Sequence, residues 1–360
     1  MNWSRSAGAT CDLAHNVRYV TFALPESLRK PLLGVLIGDV VVDLQAARTW
    51  AQGAKSLPAE PIPPTLLELL HLGPEVQAYL RQLVASLAEV DLLGLRGSGR
   101  KSVGYRREEV VLYPPLPRPM SLRDFYAFEA HVSAAHAIRG REIAAEWYEI
   151  PIFYYSNPSS VFGPDETIPY PAYSSALDYE LEVACVIGQR GRDISAEQAE
   201  QYIFGYTIFN DWSARDEQRR EMKVGLGPAK GKDFASSLGP AIVTADELAE
   251  KADSRPGVFD LQMLARVNGV ERSRGNWKDL HHSFGAMIAR ASAEVYLMPG
   301  DVLGSGTVGT GCLLELTKGE GPWLQPGDVV ELEIERLGVL RNRVGERRPP
   351  SNSGYPHPVS

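Results

Sequence analysis

Acidic side chains recur at alternate positions in residues 178–188, Asp-Tyr-Glu-Leu-Glu-Val-Ala-Cys-Val-Ile-Gly. In a strand, successive side chains point to opposite faces. Asp178, Glu180 and Glu182 therefore share one face, which Ala184 and Val186 complete, while Tyr179, Leu181, Val183, Cys185 and Ile187 form an apolar face suited to a core. Residues two apart on a strand are separated by roughly 6.5–7 Å, so the two glutamates can converge on one ion. Without an ion, adjacent carboxylates repel and one holds its proton. All-oxygen ligands favour Mg²⁺, Mn²⁺ or Ca²⁺ over zinc. The same alternation also describes a half-exposed strand with a solvated acidic face. Further along, the apolar run at 202–209 reads as a buried strand that delivers Asn210-Asp211 to the rim of a sheet.

Asp124 and His131 are seven apart, two turns of a helix. Ser121 is read as its cap, with Asp124 at the capping-box position. His136, His281 and His282 show no ligand spacing and are read as structural. Two glycine motifs carry no nucleotide chemistry. Around Gly231-Lys232, Leu226 and Asp233 stand where a phosphate loop needs Gly and Ser or Thr. Residues 304–309 match the dinucleotide fingerprint in letters, but lead into the strand-like run 312–316 instead of a helix.

The 360 residues suit two domains, and 44% hydrophobic with 23% charged residues is ordinary for a globular chain. A formal charge of −8 argues against a nucleic-acid surface, and no apolar run is long enough for a membrane span. The N-terminus lacks a signal-peptide core, so a cytoplasmic protein is expected. Cys11, Cys185 and Cys312 are too widely spaced for a disulfide framework or a zinc cluster.

Positioning these residues requires a largely β scaffold. Strands are predicted at 17–22, 33–37 and 40–44, the last two joined by a Gly38-Asp39 turn, with loop at 51–63 and helices at 65–72 and 74–93. The Pro-rich stretch 114–119 is a stiff connector, giving an N-terminal β-rich domain over 1–117. Residues 150–177 are loop-rich. A hairpin turns at Asn268-Gly269, a helix is predicted at 279–291, and strands at 301–304, 313–317, 329–335 and 337–340. A Pro- and Ser-rich tail occupies 346–360.

Six motifs in order resemble the fumarylacetoacetate hydrolase family over residues 119–345. They are Asp124-Phe125-Tyr126 with His131; Asp178-Tyr179-Glu180-Leu181-Glu182; residues 209–216 (Phe-Asn-Asp-Trp-Ser-Ala-Arg-Asp); Gly231-Lys232 ahead of Phe234; Gly304-Ser305-Gly306-Thr307 with Glu315; and the closing run 337–344. The resemblance implies an α+β fold, a mixed β-sandwich or roll over 118–345 behind the small N-terminal domain. It implies that Asp124, Glu180, Glu182 and Asp211 bind a divalent metal, Mg²⁺ first. It further implies that His131 and Glu315 activate water, that Arg215, Gln218 and Lys232 surround developing negative charge, and that Tyr126 and Thr307 contact substrate. Gly140 stands where a substrate-binding arginine is expected, so Arg139 or Arg141 takes that place, and Arg141 is assigned to it.

The implied reaction is metal-dependent hydrolysis of a carbon–carbon bond in a β-diketone or acylpyruvate-type oxo acid, by a homodimer. The rival enzyme reading is a decarboxylase or isomerase using the same metal-held enolate. A non-catalytic metal-stapled binding protein is the third reading, and it leaves His131, Glu315 and Lys232 without a purpose.

Overall fold

The computed structural model describes residues 17–55, 62–87, 90–347 and 349. The expectations for Cys11 and for most of the tail fall outside these residues. Among the described residues no helix is long and apolar enough to cross a membrane.

The fold is α+β, with a 12-stranded and a 5-stranded mixed sheet and a 2-stranded ribbon. Strand Leu181–Ile187 lies in the interior of the larger sheet, every residue buried. Its Leu181, Val183, Cys185 and Ile187 join a core shared with Met263, Ala265, Leu332 and Ile334 of the smaller sheet. Ala184 and Val186 on the opposite face pack into a second core with N-terminal residues such as Val35, Leu66 and Leu80. The apolar face packs as the alternation predicts, whereas the opposite face at Ala184 and Val186 is buried and not solvated. The N-terminal segment covers it.

That segment is continuous with the rest through backbone pairing, since Arg18–Ala23 pairs with Ser236–Thr244. A division at residue 117 stays a proposal about folding units, with one sheet running across it. The Gly38-Asp39 hairpin forms as expected, with Leu32–Ile37 against Val40–Asp43. So does the second hairpin, where Asn268 and Gly269 both take positive φ (52° and 77°), as a type I′ turn requires.

Three local expectations are corrected. Residues 121–125 are not helical: Leu122–Phe125 is a strand, parallel to Val302–Gly304 and antiparallel to Phe153–Ser156. Ser121 caps nothing, because its hydroxyl donates to Asp301 at 2.7 Å, and the proline-rich approach favours extended backbone. The helix begins only at Glu129 and runs to Ile138, carrying His131 in its first turn. The run after Cys312 is a one-turn helix, Leu313–Leu316, because Asp178 accepts the amides of Leu313 and Leu314 (2.8 and 2.9 Å). Finally, residues 51–55 are not loop but the end of helix Leu44–Lys55, begun by Asp43, which accepts the Ala46 amide at 3.0 Å.

The core between the two large sheets is aromatic. Trp277 is fully buried, with the rings of Tyr206 and Phe259 each 4.8 Å away and its indole N–H donated to Gly257. Trp277→Ala should cost about 3–5 kcal/mol, read from denaturant unfolding. A loss below about 1 kcal/mol would mean that the ring packs far more loosely than this geometry implies.

Candidate functional site

The register of four successive strands in the larger sheet brings the acids together. Leu181 opposes Asn210, so Glu182 and Asp211 come from adjacent strands near the same end of the sheet. On the other side Gly304 opposes both Ala184 and Asp124. Gly304 must lack a side chain there, since a Cβ would sit 2.5 Å from the Asp124 carboxylate. Glu180 lies just before its strand, its amide held by the Asn210 side chain at 2.9 Å. Asp124, Glu180, Glu182 and Asp211 are all buried, each offering an oxygen within 4.8 Å of the others.

The surrounding donors leave this cluster short of positive charge. Lys232 is ion-paired with Glu180 (2.5 Å) and with Asp211. Arg215 pairs with Glu180 and with Asp178, both at 2.8 Å, and donates to Gln218 at 3.0 Å. The Gly306 amide serves Glu182 (3.0 Å) and Asp124 (3.3 Å), committing the glycine turn to carboxylates. Thr307 donates to Glu182 at 3.4 Å.

Burial, then the charge of Asp211, pushes the Asp124 carboxyl well above its ordinary range. Burial, then Asp124, does the same to Glu182. Asp211 is raised by burial despite Lys232. Glu180 goes the other way, because Lys232 and then Arg215 outweigh its burial. Burial also opposes the charge on Lys232, but Asp211 and Glu180 overcome it and hold the ammonium above its usual range.

A divalent cation fits this donor set on two counts. All the donors are carboxylate oxygens, as a hard ion prefers. Asp211 Oδ1 is buried and has no hydrogen-bond partner among the described residues.

Beside the cluster is a buried histidine–carboxylate pair. His131 and Glu315, 184 residues apart in sequence, meet at 2.5 Å between Nδ1 and Oε1. Glu315 is fixed by the Thr310 amide at 2.9 Å and by its helix, which Asp178 anchors. With Nδ1 donating to Glu315, the other ring nitrogen is the acceptor.

Asp124, Glu180, Glu182 and the His131 imidazole line one cavity of about 260 Å³, with Tyr126, Thr307, Gln218, Arg215 and Lys232 also in its wall; Asp211 is not among the lining residues. Arg139 lines it, and Arg141 is not among the lining residues. Ile152, Phe153, Met222 and Leu314 supply an apolar side.

Sequence reasoning missed two participants. Tyr154 donates its hydroxyl to Asp211, from a strand in a stretch read as loop. The aromatic run Phe153-Tyr154-Tyr155 was the available signal. Asp178 was grouped with the glutamates, but it instead joins Arg215 to the Glu315 helix.

Residues 121–345 match the family model "Fumarylacetoacetate (FAA) hydrolase C-terminal". Oxaloacetate tautomerase YisK of Bacillus subtilis (strain 168) is 32% identical over 331 residues, 90% of this chain and 99% of the relative. Fumarylacetoacetase of Bos taurus is 30% identical over 361 residues, 84% of each chain. Among solved structures, a fumarylacetoacetate hydrolase from Exiguobacterium antarcticum superposes with a TM-score of 0.65 at 27% identity, covering 92% of this chain and all of its own.

The raised carboxyls predict how metal and pH combine. A carboxyl raised in the folded state stabilises the metal-free fold at low pH, and that contribution is lost as pH rises through the raised value. A cation binds only the ionised forms, so its stabilisation should grow with pH. Mn²⁺ should therefore raise Tm more at about pH 8 than at about pH 6. An equal or smaller gain at the higher pH would contradict the cluster's charge state.

Proposed function

The chain belongs to the fumarylacetoacetate hydrolase family, and from that premise we propose that it is a divalent-metal-dependent enzyme hydrolysing a carbon–carbon bond in an acylpyruvate-type oxo acid. The observation that carries this is that buried His131, paired with Glu315, lines the same cavity as Asp124, Glu180 and Glu182, three of the four convergent carboxylates. Asp124, Glu180, Glu182 and Asp211 would hold the ion, with Mg²⁺ first in preference and Mn²⁺ or Ca²⁺ next. When bound, such an ion supplies a Lewis acid that polarises adjacent substrate oxygens and lowers the energy of an enolate.

The chain's own groups do the rest. His131 takes a proton from water, and Glu315 stabilises the imidazolium that forms. The hydroxide attacks the substrate carbonyl, the carbon–carbon bond breaks, and the leaving carbanion takes up the proton that His131 gained from water. Arg215 and Lys232, each already paired with Glu180, keep positive potential at the cavity wall where the leaving carbanion develops charge. Gln218, Tyr126 and Thr307 are placed along the wall to orient substrate, and Arg139 takes the carboxylate-binding role assigned to Arg141. The apolar side suits a carbon chain extending beyond the chelating oxygens. Assembly as a cytoplasmic homodimer is proposed from the family alone.

Keto–enol tautomerisation of an oxaloacetate-like acid is the second reading. It is favoured by the relative of that name at 32% identity and needs only one base beside the ion. Both readings use His131, so products separate them: hydrolysis yields two acids, tautomerisation changes only enol absorbance, and decarboxylation releases carbon dioxide.

His131→Ala should lower kcat by about 10²–10⁴-fold while leaving metal affinity near that of the parent. Glu315→Gln should also slow turnover, and the two losses should not add in the double variant, as for groups acting as one unit. Steady-state kinetics with an acylpyruvate reads this directly. A His131→Ala enzyme with parental kcat would remove the base from the account.

A further inference from the structure

Cys312 is fully buried beside the proton-transfer pair, and the mechanism gives it no task. Its sulfur lies 3.6 Å from Glu315 Oε1, the oxygen that also receives His131. One donor atom each from His131, Cys312 and Glu315 falls within 4.8 Å of the other two. Imidazole, thiolate and carboxylate are a zinc donor set, unlike the all-oxygen cluster next to it.

The spacing is that of a coordination sphere. A tetrahedral zinc ion with bonds of about 2.3 Å to sulfur and about 2.1 Å to oxygen separates those atoms by about 3.6 Å, the distance observed between Cys312 and Glu315. The His131–Glu315 hydrogen bond of 2.5 Å would open by about 0.9 Å to admit the ion in place of the shared proton.

Charge also balances. One thiolate, one carboxylate and a neutral imidazole offset a 2+ ion, so the buried complex carries no net charge. His131 lines the cavity, so the site adjoins it; a zinc ion held by three protein ligands takes water as its fourth.

We propose that Cys312, His131 and Glu315 form a second metal site, selective for a thiophilic ion such as Zn²⁺, whose occupation silences the enzyme by capturing its base. On binding, Cys312 releases its thiol proton to solvent, and the proton that His131 shares with Glu315 moves from Nδ1 to Nε2, so the ring stays neutral and its accepting nitrogen is blocked; no oxidant or reductant takes part. The silencing rests on the proton-transfer role proposed for His131. The binding does not.

The test uses the Mg²⁺-saturated protein, so that the carboxylate cluster is already filled. Added Co²⁺ should produce a thiolate-to-cobalt charge-transfer band that saturates at one equivalent and is abolished by Zn²⁺. Zn²⁺ should inhibit turnover, and removing it with a chelator and restoring Mg²⁺ should recover the rate. In Cys312→Ser the band should vanish. The Zn²⁺ concentration for half-inhibition, scaled to the variant's own rate, should rise by about tenfold or more. Cys312→Ala provides the same comparison if the serine variant folds poorly, and the cobalt band of the parent needs no variant.

Absence of the band, its persistence in Cys312→Ser, or equal Zn²⁺ sensitivity in both proteins would overturn the site. A band without inhibition would uphold the site and instead overturn the base role of His131.

Discussion

Four buried carboxylates converge on one point with two cationic side chains to offset them, and much of the structure follows from that imbalance. Leaving the cluster fully ionised would be costly in a low-dielectric interior. Holding protons on Asp124 and Glu182 is the metal-free solution, in keeping with the raised carboxyls there. A divalent ion is the other. Lys232 and Arg215 do not neutralise the cluster, but they hold Glu180 ionised and leave room for one more cation.

The scaffold around this point is correspondingly rigid. Three strands deliver the acids, and the glycine turn at 304–306 lets two backbones and a carboxylate approach closely. Asp178 couples the two halves of the site. It pairs with Arg215, which reaches Glu180, and it anchors the short helix that presents Glu315 to His131. The His131–Glu315 pair, drawn from distant segments, is thereby tied to the strand that carries the acids.

Much of this was legible in the sequence because strand alternation is local. The apolar face of residues 181–187 could be read from period-two spacing alone, and the buried run ending in Asp211 announced a strand that delivers an acid to a sheet edge. What could not be read depended on partners far away. Residues 121–125 carry a helix-capping pattern, yet pairing with Val302–Gly304 and Phe153–Ser156 makes them a strand. Residues 313–316 look strand-like until Asp178 supplies two amide acceptors and turns them into a helix. Tyr154 could not be assigned to Asp211 without the strand pairing that sets it beside Asp124. The choice between Arg139 and Arg141 depends on where the helix carrying His131 ends.

The central claim is that the carboxylate cluster is completed by one divalent ion. Crystals grown with Mn²⁺ and measured at a wavelength where manganese scatters anomalously test it most directly. A single strong anomalous peak is expected within bonding distance of carboxylate oxygens from Asp124, Glu180, Glu182 and Asp211, with Asp211 Oδ1 among them. No peak there at saturating Mn²⁺, or a peak bonded elsewhere in the cavity, would contradict it.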